Sequence, residues 1–211
     1  VLSHAHYDHA NGMEKFFEIN RKAPFYLQEG CGENCYFKKG FIRKYIGIPK
    51  GITKKYQDRI KYVSGVYTVA DGIYLVSHST PHLEQIGKKE MMYQKTKLGW
   101  KPDNFCHEQS LVLDTDGGLV IFNSCSHGGV VNIINEVKAA FPNKKITALI
   151  GGFHIFKHPE AEIRELAKLI KETGIQRIYT GHCSKERGYR ILREELGDMA
   201  GQFYVGMELE F

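Results

Sequence analysis

The chain has 211 residues, 42% of them hydrophobic, with 29 Lys and Arg against 24 Asp and Glu for a formal net charge of +5. That length fits one large domain with a real core. No apolar run approaches the roughly 18 residues of a membrane span, no repeat or low-complexity tract is present, and five cysteines without a paired framework point to reduced thiols and a cytoplasmic protein.

In chain order, Val1-Leu2 reads as the end of a buried strand. The next seven residues, Ser3-His4-Ala5-His6-Tyr7-Asp8-His9, hold three imidazoles and a carboxylate. This H-x-H-x-D-H string has the composition of a metal site, since imidazole suits zinc and iron and carboxylate suits harder ions. Asn11-Gly12 opens an amphipathic helix with Met13, Phe16, Phe17 and Ile19 on its apolar side. Short strands are expected at 24–28, 59–63, 66–69 and 73–77, the last two joined by a turn at Ala70-Asp71-Gly72. A hairpin is expected over 110–114 and 119–122, across Thr115-Asp116-Gly117-Gly118. Helices follow at 130–141, stopped by Pro142, at 159–173, with Pro159 in its first turn and Gly174 at its end, and at 185–196. Strands are expected at 146–150 and 177–180, and closing strands at 202–205 and 208–211. Strands alternating with helices favour α/β layers.

Four later runs carry further polar chemistry: Cys106-His107-Glu108-Gln109-Ser110-Leu111-Val112, Ser124-Cys125-Ser126-His127-Gly128-Gly129, Gly151-Gly152-Phe153-His154 and Thr180-Gly181-His182-Cys183. With the H-x-H-x-D-H loop, in this order, they resemble the metallo-β-lactamase superfamily. Within it they resemble the branch holding the 7,8-dihydropterin-6-methyl-4-(β-D-ribofuranosyl)aminobenzene-5'-phosphate synthases and related bacterial metallo-hydrolases. The resemblance covers the whole chain and is weakest between about 30 and 100.

It implies an αβ/βα sandwich with two metal ions, expected to be zinc, with iron or manganese as alternatives. His4, His6 and His107 would bind the first ion, and Asp8, His9 and His182 the second. Where the superfamily has a bridging Asp, this chain has Cys125, with His127 two positions on, so either residue can take that place as a ligand. His154 is the expected acid or substrate contact, His82 a second substrate contact, and His78 and His158 read as surface residues. Asp8 would both hold metal and orient the attacking group. Ser3, Glu108 and Thr180 are candidates to fix the ligand rings.

In the superfamily the H-x-H-x-D-H loop follows several strands, whereas here two residues precede Ser3. The expectation is therefore one domain over 1–211 that lacks its N-terminal strands. A missing segment, a partner chain or a second copy would cover the bare edge. A basic insert is expected at about 30–104. Residues 28–104 hold fourteen Lys and Arg against seven Asp and Glu, and from Lys38 to Lys61 only Asp58 opposes nine cations. The stretch is interleaved with Phe37, Phe41, Tyr45 and Tyr56. It reads equally as a collector of anionic substrate or as a solvated face, and it lacks a nucleic-acid-binding motif.

The expected activity is a metal-dependent hydrolysis of a small anionic ester, thioester or phosphoester through a metal-bound hydroxide. The alternatives are a condensing enzyme of the dihydropterin branch and a ligand-binding protein on a degenerate site. No membrane or nucleic-acid partner is expected.

Overall fold

A computed structural model describes residues 1–211. Their contacts divide the chain into two compact units, Val1–Gly65 with Ser77–Gln109, and Val66–Val76 with Ser110–Phe211. No helix is long and apolar enough to cross a membrane.

The first unit begins on the H-x-H-x-D-H loop, which runs into a short helix α1 (Tyr7–Ala10) and then α2 (Met13–Ile19). Met13 and Phe17 of α2 are buried, Phe16 packs against the same core, and Ile19 is exposed. Strand β1 (Phe25–Gln28) pairs in parallel with β4 (Ile60–Val63). The Phe17 ring stacks on Tyr56 at 4.3 Å and meets Phe25 at 5.3 Å. Strands β2 (Cys35–Lys39), β3 (Ile42–Tyr45), β7 (Met92–Thr96) and β8 (Gly99–Pro102) form an antiparallel sheet in the order β3-β2-β7-β8. Helices α3 (Ile52–Lys55) and α4 (Glu84–Lys89) complete the unit.

The basic stretch is built into this unit. Cys31, Cys35, Ile48, Ile52 and Ile60 share one core with Leu2, Ala5, Phe17 and Leu27. Aromatic rings of the unit carry several of its cations. Lys38 lies 5.1 Å over Tyr93, Arg43 5.4 Å over Trp100 and Lys50 4.8 Å over Tyr45. Each pair adds cation–π attraction while the charged tip stays in water.

The second unit is a seven-stranded sheet of β5 (Val66–Ala70), β6 (Ile73–Ser77), β9 (Gln109–Thr115), β10 (Gly118–Phe122), β11 (Ile146–Gly151), β12 (Arg177–Thr180) and β13 (Ala200–Gln202), in the order β13-β12-β11-β10-β9-β6-β5. The β9–β10 hairpin is antiparallel, and β10, β11, β12 and β13 run parallel. Parallel neighbours need crossovers. Here they are α5 (Val130–Ala140), α6 (Glu160–Glu172) and α7 (Lys185–Leu196). Period-two alternation splits the strands. Leu119, Ile121, Leu149 and Ile178 join the helix-covered core, whereas Val120, Ala148, Ile150 and Tyr179 face a smaller cluster.

Two expected strands at the C-terminus do not form. Only Ala200–Gln202 pairs, and Met207 and Leu209 pack instead on the smaller cluster, enclosing with Leu113, Val120, Ile150 and Phe203 a cavity of about 310 Å³. Met207, Leu209 and Phe211 alternate as in a strand, but here that spacing lines the cavity against the sheet face with Met207 and Leu209 half-buried and Phe211 exposed, rather than forming a ladder edge. Val1-Leu2 is likewise not a strand. Leu2 N–H donates to Tyr26 O at 3.0 Å, and Gln109 donates from Nε2 to Leu2 O at 2.9 Å.

The end of β11 has no room for a side chain. A Cβ on Gly151 would stand 1.5 Å from Asn123 O. Gly151→Ala should therefore destabilise the protein by about 3 kcal/mol or more, read as a lower midpoint in urea unfolding. An unchanged midpoint would show that this backbone approach is not required.

Candidate metal centre

In the first unit the ligand loop is fixed by its backbone. Leu2 N–H bonds Tyr26 O, Gln109 N–H bonds Ser3 O at 2.8 Å, Ala5 N–H bonds His107 Nδ1 at 3.1 Å, and Tyr7 N–H bonds Ile46 O at 2.9 Å. His4 and His6 are buried, at 0% and 4% exposure. Their rings meet edge to face at 4.7 Å, and His9 stands 4.5 Å from His4. Ser3 Oγ lies 3.0 Å from His4 Nδ1, so the hydroxyl can hold that ring in the tautomer whose Nε2 is the ligand atom. His9 Nε2 lies 3.5 Å from Asp8 Oδ2, and the Asp8 side chain is 44% exposed.

His107 comes beside these rings, 5.3 Å from His6 and 6.3 Å from His4 between centroids. Both its nitrogens already have partners. Nδ1 accepts from Ala5 N–H, and Nε2 faces Asp103 Oδ2 at 3.1 Å. His107 thus lies beside His4 and His6, and in this structure its ring also ties the loop to Asp103. Asp103 is itself held, its Oδ1 accepting from Gln94 Nε2 and Phe105 N–H at 2.9 and 2.8 Å. Burial opposes the charge on Asp103, but the His107 ring and the Phe105 N–H outweigh it and hold the carboxyl at about 2.

Ligand-type atoms of His6, Cys35, Asp103 and His107 lie within 4.8 Å of one another, all four residues buried. Sequence reasoning missed Cys35 and Asp103. The available signals were a polar Gln94 inside a strand and an Asp four residues before a His. Cys31 is a structural thiol, pushed by burial up to about 12. His78, expected at the surface, is instead buried against Glu108, Nε2 to Oε2 at 2.6 Å, which gives Glu108 its partner. His82 is exposed beside Glu84 at the start of α4 and joins neither cluster.

In the second unit the remaining motifs sit on loops after β10, β11 and β12, at the carboxyl ends of three adjacent parallel strands. This is where open α/β sheets build ligand sites. Each loop contains a non-glycine residue in left-handed backbone: Ser126 at φ 53°, His154 at 50° and His182 at 49°. Such strain gathers at functional sites. Cys125 is the hub. Its sulfur lies within 4.8 Å of ligand-type atoms of His127, His154, His182 and Cys183. The His127 and His154 rings are 4.4 Å apart. The structure thus brings Cys125 and His127 together rather than choosing between them.

Buried hydrogen bonds brace these loops. Asn123 accepts from Ser126 N–H and donates to Ser110 Oγ. Thr180 Oγ1 and Ser184 Oγ are 2.6 Å apart, and Phe153 N–H donates to Ser184 Oγ at 3.0 Å. Cys183, which sequence reasoning also missed, has its sulfur 3.1 Å from His154 N–H. The neighbouring Cys125 thiol, against the effect of burial and with help from His154, draws the Cys183 thiol down to about 5.

No protein-family model matches the chain. It has the fold of the metallo-β-lactamase superfamily: a solved structure described as a metal-dependent hydrolase of the β-lactamase superfamily superposes with a TM-score of 0.82 at 25% identity, covering all of this chain and 78% of the other. The sequence likeness runs to the dihydropterin branch. The 7,8-dihydropterin-6-methyl-4-(beta-D-ribofuranosyl)-aminobenzene-5'-phosphate synthase of Methanocaldococcus jannaschii is 26% identical, covering 100% of this chain and 74% of its own. An uncharacterised protein of the same archaeon is 26% identical over 91% of this chain and 70% of its own.

The Asp103–His107 pair makes a test of the first cluster. Asp103→Leu should cost about 3–5 kcal/mol in urea unfolding, because it strands a buried polar ring. A carboxyl held below its ordinary value contributes stability above that value and loses it as pH falls. The gap between wild type and variant should therefore narrow by about 2 kcal/mol between about pH 4 and 2. A gap that is absent at pH 7, or constant to pH 2, would remove the ion pair from the account.

Proposed function

We propose that the protein is a metal-dependent hydrolase of a small anionic ester, thioester or phosphoester. The observation that carries this reading is the loop holding buried His4 and His6 with His9 and Asp8 beside them. Three imidazoles and a carboxylate on a backbone-tethered loop make a donor set suited to zinc or iron, with manganese as the harder alternative. The superfamily neighbour, described as a metal-dependent hydrolase, supports it. The reading also takes His127, Cys125 and His182 of the second unit as metal ligands.

When bound, the metal lowers the pKa of water toward neutrality and polarises a carbonyl or phosphoryl oxygen. The chain's own residues do the rest. Ser3 orients the His4 ring. Asp8, the more exposed carboxylate of the loop, orients the attacking water. His154, held on its left-handed turn, carries the proton for the leaving group. The cations of the basic stretch in the first unit raise the local concentration of an anionic substrate. His82 lies in an exposed loop and contributes at most a contact to a large substrate.

A second reading has its own support: a condensing enzyme like the synthase that the chain resembles over its full length. Pterin and phosphate analogues that inhibit more strongly than simple esters would favour it.

Changing both His4 and His6 to Ala should abolish turnover of any ester or phosphoester substrate and remove the transition metal held by that loop, with the fold retained by circular dichroism. His158→Ala, on the surface beside Glu162, should leave the rate unchanged. Equal activity in the double variant and the wild type would end the metal-dependent reading.

A further inference from the structure

Cys183 has no part in the function proposed above, yet it is buried and it touches the residues that do. We infer that the second unit holds a transition-metal ion on Cys125, Cys183 and His154, a two-thiolate, one-imidazole site that leaves a fourth position open. The sulfurs of Cys125 and Cys183 and a ring nitrogen of His154 all lie within 4.8 Å of one another. Tetrahedral ligands about 2.1–2.3 Å from a common ion stand roughly 3.5 Å apart, so closing on an ion asks only small side-chain movements.

The three donors come from three different loops, and each is held in place by bonds outside the trio. Phe153 N–H donates to Ser184 Oγ, which fixes the residue before His154 against the turn carrying Cys183. Gly152 N–H donates to Ser124 O, which fixes the strand end beside Cys125. Gly152 also makes room. A Cβ there would stand 2.5 Å from Cys183 Sγ and 2.9 Å from Ser124 O, so the backbone is cut back to admit the sulfur. The left-handed turn at His154 presents its ring on the same side as His127.

The donor set also predicts selectivity. Thiolates favour zinc, cobalt and iron(II) over magnesium, calcium and manganese. Three protein ligands with one open position is the arrangement of a reacting zinc rather than a structural one. The inference deepens the metal-dependent reading by naming donors in the second unit, where it makes His154 a ligand in place of a proton carrier, and its test separates the two.

Cobalt(II) loaded into the full chain should give the near-ultraviolet absorption of sulfur-to-cobalt charge transfer. Cys125→Ser and Cys183→Ser should each weaken that band, and the pair should abolish it and bind one metal ion fewer per chain. Cys31→Ser, Cys35→Ser and Cys106→Ser should leave it intact. So should the His4 and His6 double variant, even though its activity is lost. A band absent from the wild type, surviving in the Cys125 and Cys183 pair, or lost with Cys35 overturns the site. Metal-dependent turnover without the band would leave the hydrolase reading standing and this one refuted; the band without turnover would do the reverse. If the serine variants do not fold, X-ray absorption of zinc-loaded wild type decides. Sulfur neighbours near about 2.3 Å support the site, and nitrogen and oxygen alone overturn it.

Discussion

Left-handed backbone at Ser126, His154 and His182 is the constraint on which the second unit's chemistry rests. An ordinary residue in that conformation costs about 1–2 kcal/mol, and each of these is also a residue of the chemical motifs or adjoins one. The cost is met by buried hydrogen bonds from Asn123, Thr180 and Ser184, and by the parallel register of β10, β11 and β12, which sets the three loops side by side. The strands themselves gain stability from an apolar core that includes Leu119, Ile121, Leu149 and Ile178. Stability earned by burial in the sheet thus supports a strained, polar rim at its carboxyl end.

The first unit solves the same problem differently. Its ligand loop has no left-handed residue before α2. It is held instead by amide bonds to Tyr26, Ile46, Ser3–Gln109 and His107. His107 acts here as an acceptor for Ala5 N–H, and Asp103 secures the other side of its ring. A histidine inside a ligand-rich motif can therefore also brace the backbone around it.

Much of this was legible in the sequence because the signals were long and periodic. The three crossover helices lie within a residue of their expected ends, since Pro142, Pro159 and Gly174 punctuate them. The β9–β10 hairpin and the strands at 146–150 and 177–180 follow from apolar runs between turn residues. The four-stranded sheet of the first unit was not legible. Its strands, such as Ile42–Tyr45, carry Arg and Lys whose stems cover aromatic rings, so they show no clean alternation. The metal loop was plain because four donor residues fall within six positions. Cys35, Asp103 and Cys183 were not, because each meets its cluster only through folding: a lone Cys in a strand or after a His gives no spacing to read. Met207, Leu209 and Phe211 show the converse, a strand-like alternation that serves packing on a face instead of pairing.

The central claim is that the loop from Ser3 to His9 binds a transition metal. The most direct measurement is anomalous diffraction from crystals of the full chain purified without added chelator, recorded on both sides of the zinc and iron absorption edges. The account predicts a strong anomalous peak within bonding distance of His4 and His6. A well-ordered loop with no peak beside those two rings, in protein that turns over its substrate, would contradict it.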